Sequence, residues 1–249
     1  VGARPSVGKS VVALQAAQAL LKAGSVAFVS LEMDKHDLTN RLMSNELRIP
    51  GKHFEHDELM TPAEWSRIGE WVKARVNRPL AIMDRTGATI TDIKRFVRNV
   101  HRVKPLGGIV VDYLQLMTQP ATGGRVPRHE FVADMSRQLK VLAMDLDVPV
   151  IVLSQLNRSS ESREDKMPGL HDLRESGAIE QDLDAMLLLH RPSYYDKSAE
   201  PGLRLDLALQ RNGPTGLIRL EDELDRCRFR PSEYDWTEAK SRGGRDDDL

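Results

Sequence analysis

The string Ala3-Arg4-Pro5-Ser6-Val7-Gly8-Lys9-Ser10 constrains this chain more than any other stretch. It follows the pattern GxxxxGK[ST], with alanine in place of the first glycine. A loop of this kind wraps backbone N–H groups around the β- and γ-phosphates of a nucleotide, sets a lysine ammonium against their charge and offers a hydroxyl to Mg²⁺. It also dictates its surroundings, because a strand has to aim the loop and a helix has to receive the phosphates on its N-terminus. Residues 9–23 supply the helix, with Val11, Leu14, Leu20 and Leu21 on its apolar positions and Gly24 as the stop. Only Val1 and Gly2 precede the loop. The chain is therefore expected to be a piece lacking most of that strand and any domain before it, and to be less stable for the loss.

Beyond the loop, strand and helix patterns alternate, which argues for a mainly parallel sheet flanked by helices. Strands are expected at 26–31, 80–83, 109–111, 148–153 and 185–189, and helices at 34–48, 91–102 and from Phe131 through Met135, Leu139 and Leu142 to Leu146. Thr61-Pro62-Ala63-Glu64 combines a capping box with proline at the first helical position, and Trp65, Ile68 and Val72 should mark the buried face of the helix that follows. Residues 157–171 read as a polar loop. Leu203, Leu205, Leu207 and Leu209 alternate with polar or small residues as in a half-buried strand, and Asn212-Gly213-Pro214 turns it back into 217–220, an antiparallel hairpin. One domain is expected over 1–231, with 232–249 as a disordered polar tail.

Composition bounds the function loosely. Of 249 residues, 40% are hydrophobic and 29% charged, enough for one α/β core, and no apolar run approaches the roughly 20 residues needed to span a bilayer. A membrane protein is excluded on this reading. The formal net charge of -1 gives no general pull toward nucleic acid, so any DNA contact has to come from local placement. Cys227 is the single cysteine, which permits neither an internal disulfide nor a cysteine-rich metal site and points to a reducing cytoplasm.

Three further residues complete a hydrolytic constellation. Asp112 closes the apolar run Ile109-Val110-Val111, where an aspartate can support the Mg²⁺ shell of a phosphate-loop site. Glu32 ends the strand after the loop helix, where a carboxylate can take a proton from attacking water, although a solvated glutamate would satisfy the sequence as well. Gln155 follows the apolar run 150–153 and can touch a terminal phosphate; a strand-end residue without that duty fits equally.

Taken in order, 2–10 with Ser30-Leu31-Glu32-Met33, Val111-Asp112-Tyr113-Leu114-Gln115-Leu116-Met117, Ser154-Gln155-Leu156-Asn157-Arg158, Asp172-Leu173-Arg174-Glu175-Ser176-Gly177 and Gln210-Arg211-Asn212-Gly213-Pro214 resemble the motor domain of DnaB-type replicative DNA helicases. The resemblance covers 1 to about 220. It implies a RecA-like fold in a homo-hexameric ring that uses ATP and Mg²⁺ to move along single-stranded DNA, 5′ to 3′, with a primase and a helicase loader as partners. It gives phosphate and metal binding to Lys9 and Ser10, water polarisation to Glu32, Mg²⁺ support to Asp112, phosphate sensing to Gln155 and an arginine finger to Arg211. DNA contact falls to Arg174, Glu175 and Gly177. From the residues alone, Arg211 is also readable as a solvated hairpin arginine. The segment 156–175 is likewise readable as a solvated loop, since Arg158, Arg163, Lys166 and Arg174 face Glu161, Glu164, Asp165, Asp172 and Glu175. Leu209 departs from the family, which usually has lysine two residues before the finger. The same core also serves recombinases and signalling ATPases that never touch DNA, and the strings at 172–177 and 210–214 favour the helicase.

Overall fold

The computed structural model describes residues 1–75, 80–119, 126–157, 163, 166–173, 177–199 and 201–232. Its first half is laid out by β2 (Ser25–Ser30), in which every residue is buried and successive side chains face opposite layers. Val26 and Phe28 meet Ala13, Leu14 and Ala17 of α1 (Lys9–Leu20) and Leu38 and Leu42 of α2 (Lys35–Leu47). Ala27 and Val29 meet Ile93 and Val97 of α5 (Ile90–Val103) and Phe131, Met135, Leu139 and Leu142 of α6 (Arg128–Leu146). Helices thus cover both faces of a sheet ordered β3-β2-β4-β5, all parallel, in which β3 is Leu80–Asp84, β4 Leu106–Asp112 and β5 Val150–Val152.

One residue further along, the strand changes partner. Leu153 N–H still donates to Val111, but Ser154 N–H donates to Val1, and β6 (Ser154–Gln155) lies parallel to β1 (Gly2–Ala3). The second sheet runs β6-β1-β7-β8-β9-β10. β1 is parallel to β7 (Ala185–His190), and β8 (Leu203–Gln210), β9 (Gly216–Glu223) and β10 (Arg228–Pro231) follow in antiparallel order. The expected α/β architecture is present. The expected hairpin is one strand larger, because the four residues of β10 were too few to signal a strand. Short helices α3 (Gly51–Glu55), α7 (Gly177–Asp182) and α8 (Pro192–Tyr195) also carry no periodic pattern to read.

The α4 helix (Pro62–Arg75) begins as expected: Thr61 N–H donates to Glu64 at 2.8 Å, and Glu64 N–H to the Thr61 hydroxyl at 3.2 Å. Its inward face does not follow the sequence reading. Trp65 and Val72 are 53% and 51% exposed. Polar ties hold the helix instead: Trp71 Nε1 donates to Glu46 at 2.6 Å, Arg75 pairs with the same carboxylate, and His53 Nδ1 lies 3.2 Å from Glu64. Ile68 is the one expected contact that is partly buried.

Pairing of β8 with β7 slips between Met186 and Leu187, so Leu209 lies opposite Met186 whereas Leu207 lies opposite Leu187. The bulge turns Leu209 to the other face of the sheet, where it packs beside Met186, Leu188, Leu156 and Leu173, while Leu203 and Leu205 face Val7 and Val11. Of the expected 157–171 loop, the described part ends in a 3-10 turn at Leu170–Asp172. Of the tail expected over 232–249, Ser232 is described, its N–H donating to Arg219 at 3.4 Å, and 233–249 lie outside the described residues.

Gly107 lets α1 approach β4. A Cβ there would sit 2.3 Å from the Leu20 carbonyl oxygen and 2.6 Å from Gly24 N. Gly107→Ala is expected to cost about 1–3 kcal/mol through overpacking, whereas Trp65→Ser on the exposed face should change stability by less than about 0.5 kcal/mol. Urea unfolding of the two variants checks both.

Candidate functional site

Three strands, one from the second sheet and two from the first, stop at the same edge. β1 leads into the loop before α1, β2 runs out at Ser30 shortly before Glu32, and β4 ends on Asp112. β6 adds Gln155 beside Ala3. Parallel strands that end together place their C-terminal residues around one crevice, and here that crevice is a cavity of about 850 Å³. Ala3, Arg4, Pro5, Ser6, Gly8, Lys9, Ser10, Glu32, Tyr113 and Gln155 all line it. Val7 instead points into the core and is fully buried.

The loop makes its turn at Ser6 and Gly8, whose φ angles are 60° and 113°. Gly8 is the N-cap of α1, so the free N–H groups of the first helical turn face the loop. Arg4 is 8% exposed and donates to the Leu156 carbonyl at 2.8 Å, which ties the loop to the end of β6.

Asp112 is fully buried and anchors the two loop residues that follow Gly8. Ser10 Oγ donates to its Oδ2 at 2.8 Å, and Lys9 Nζ lies 3.4 Å from its Oδ1. The same ammonium sits 3.7 Å above the centroid of the Tyr113 ring. Burial pushes the Lys9 ammonium below the ordinary lysine value, and the Asp112 and Glu32 carboxylates oppose that shift. Burial raises the Tyr113 hydroxyl, with Glu32 and then Asp112 adding to it. The Glu32 charge therefore acts on the same small volume as Lys9 and Asp112, although Glu32 itself is exposed.

Part of the cavity wall comes from segments that the sequence reading missed. Arg41 of α2, Gly51, Lys52, Phe54 and Glu55 of α3, Arg191, and Leu224, Asp225 and Cys227 also line it. Asn45 Nδ2 donates to the Cys227 carbonyl at 2.7 Å, and the Gln15 amide both donates to and accepts from the backbone of Phe229. These contacts join residues about 200 apart in sequence, and no local pattern announces them. Tyr113 was findable, since it follows Asp112 directly.

Arg211 does not line this cavity. It is exposed at the end of β8, its guanidinium donating to the Gln181 carbonyl and its N–H to Asp184 at 2.9 Å. Arg174 and Glu175 lie outside the described residues, and Gly177 opens α7.

A family model described as the DnaB-like helicase C terminal domain matches residues 1–231. The chain belongs to that family. It is 41% identical over 224 residues to the replicative DNA helicase DnaB of Geobacillus stearothermophilus, a match covering 88% of this chain and 49% of that protein. With the replicative DNA helicase DnaB of Leifsonia xyli it shares 42% over 226 residues, covering 88% and 48%. Among solved structures, one described as an ATPase domain superposes with a TM-score of 0.85 at 35% identity, over 93% of this chain and 83% of that one. A DnaB-like replicative helicase described together with its interactions with primase gives 0.84 at 34%, over 93% and 56%. The chain thus spans about half the length of the DnaB relatives it matches. Among the described residues no helix is long and apolar enough to cross a membrane.

Within this DnaB-like domain, Gly8 is tightly constrained. A Cβ would meet the Phe229 ring at 2.5 Å, and its φ is one that side chains rarely adopt. Gly8→Ala is expected to cost at least about 1–2 kcal/mol from backbone strain alone, lowering the melting temperature by about 2–4 °C per kcal/mol. A thermal melt equal to wild type would show that the loop relaxes freely.

Proposed function

We propose that this chain is the motor of a replicative DNA helicase, residues 1–231 forming an ATPase unit that works in a homo-hexameric ring on single-stranded DNA, 5′ to 3′. The observation that carries the reading is the convergence of Lys9, Ser10, Glu32 and Gln155 on one cavity at the strand ends, with Asp112 buried directly behind Lys9 and Ser10. Those are the parts that nucleoside triphosphate hydrolysis needs. The amides of the Gly8 turn and the Lys9 ammonium bind the phosphates. Incoming phosphate charge favours the protonated lysine, offsetting the burial that works against it.

The donors fit Mg²⁺. Asp112 Oδ1 is buried with the Lys9 ammonium 3.4 Å away and no closer donor, and the Ser10 hydroxyl lies on the other oxygen of the same carboxylate. Both are hard oxygen ligands. Among the described residues no group of three or more His, Cys, Asp or Glu side chains could hold a metal, so phosphate oxygens and water would complete the shell. When bound, the ion neutralises charge on the β- and γ-phosphates. Glu32, exposed to the cavity and close enough to act on Lys9, takes the proton of the attacking water.

Arg211 serves the neighbouring subunit in this reading. A finger acting in trans has to stand outside its own cavity, and Arg211 does. Leu209 packs against Met186 and Leu188, so the position that is usually lysine contributes packing here and no second cation. DNA contact is assigned to Arg174, Glu175 and Gly177, where few contacts per subunit would add up around a ring. A primase and a loader are the proposed partners; one solved relative is described with its interactions with primase. The setting is the cytoplasm.

Turnover and strand displacement on a forked duplex test the proposal. Lys9→Ala should abolish ATP turnover. Glu32→Gln should bind nucleotide and not hydrolyse it, and normal hydrolysis would remove Glu32 from its role. Arg211→Ala should bind normally with turnover lower by about 10³-fold or more. ATP hydrolysis stimulated by DNA without strand displacement would favour a recombinase instead, and hydrolysis indifferent to DNA a signalling ATPase.

A further inference from the structure

Gln155 lies where the strand 150–155 has left β4 and joined β1, and its backbone faces a gap. Ser154 N–H and Leu156 N–H donate to Val1 and Ala3, which uses the β1 side of the strand. By alternation, the N–H and C=O of Gln155 point the other way, toward β4. Among the described residues no strand is there to receive them, because β4 ends at Asp112 and the chain turns into a 3-10 segment at Leu114–Leu116. A single side chain fills the position. Gln155 N–H donates to Gln115 Oε1 at 3.2 Å, and Gln115 Nε2 faces the Gln155 carbonyl at 3.4 Å while donating to Ser154 Oγ at 2.7 Å. The amide of Gln115 thus acts as one residue of a missing strand.

We propose that Gln115 is a positioning residue: its side-chain amide fixes the Gln155 backbone to the end of the Asp112 strand and so sets how Gln155 meets the terminal phosphate. The inference rests on the reading of Gln155 as the phosphate sensor. Gln115 is itself held from outside, since the Arg128 guanidinium at the start of α6 donates to its carbonyl. On the far side of Gln155, Leu156 forms a β-bridge with Leu173, and Asn157 N–H donates to Asp172 at 2.8 Å. A shift of Gln155 is thereby passed to the segment that leads into Arg174. The clamp joins the Asp112 end of the nucleotide site to the start of the proposed DNA loop through a short run of backbone contacts.

The readout is the preference for ATPγS over ADP in equilibrium binding, which needs neither turnover nor DNA. Gln115→Met keeps the volume and removes both polar atoms. It should lower that preference about tenfold, the scale of one lost hydrogen bond at a charged site, with ADP affinity and melting temperature near wild type. Gln155→Ala should lower it by a similar factor, and the double variant no further. Gln115→Glu, which keeps the acceptor for Gln155 N–H, should recover part of the loss and serves as well if the methionine variant folds poorly. Additive losses in the double variant, an unchanged preference in Gln115→Met, or a Gln155→Ala variant with no effect would each overturn the proposal. Failure of the helicase reading is seen separately, as wild-type turnover that single-stranded DNA does not stimulate.

Discussion

The Lys9 ammonium is a charge taken out of water, and the surroundings of the site are arranged to tolerate it. An isolated buried cation is costly, so it needs a carboxylate and further compensation. Asp112 supplies the carboxylate at 3.4 Å and the Tyr113 ring face closes the other side. This pairing requires β4 to end level with the start of α1, which in turn requires both strands and helix to be packed in register. The core on either side of β2 is what holds that register. Nucleotide phosphates would enter a place where positive charge is already fixed and partly dehydrated, so little has to be reorganised on binding.

A second constraint follows from the change of partner at Leu153 and Ser154. Because one strand belongs to two pairings in succession, β4 and β1 are joined through it, and their ends cannot move independently. Arg4 and Gln115 grip the same short stretch from opposite sides, the first at the Leu156 carbonyl and the second at Gln155. Residues of the proposed phosphate site are thus connected by hydrogen bonds to the bridge between Leu156 and Leu173. In the proposed function such a route would join the nucleotide site to the segment assigned to DNA contact, and the one seen here is short and made mainly of backbone.

Much of this was legible in the sequence, for a physical reason. Buried parallel strands are near-continuous apolar runs, so the polar residue that ends one is visible, and Glu32, Asp112 and Gln155 all stand at such ends. The loop 3–10 announces itself through its glycine, lysine and serine. What stayed hidden depends on distant partners. Glu46 and His53 draw Trp71 and Glu64 inward, so the face of α4 could not be chosen from hydrophobicity alone. The bulge before Leu209 breaks an alternation that looked regular, and the wall formed by Leu224, Asp225 and Cys227 reaches the cavity from the far end of the chain. The two residues of β1 are too few to be read as a strand, yet they sit between β6 and β7 at the centre of the site.

The measurement that bears most directly on this account is a crystal structure of the protein grown with Mg²⁺ and a slowly hydrolysed ATP analogue. The account predicts terminal phosphates against the backbone amides around Gly8 and Lys9, with Ser10 and Asp112 the residues that would hold the metal. A nucleotide seated elsewhere, with Lys9 still closed over Asp112 and Tyr113, would contradict it.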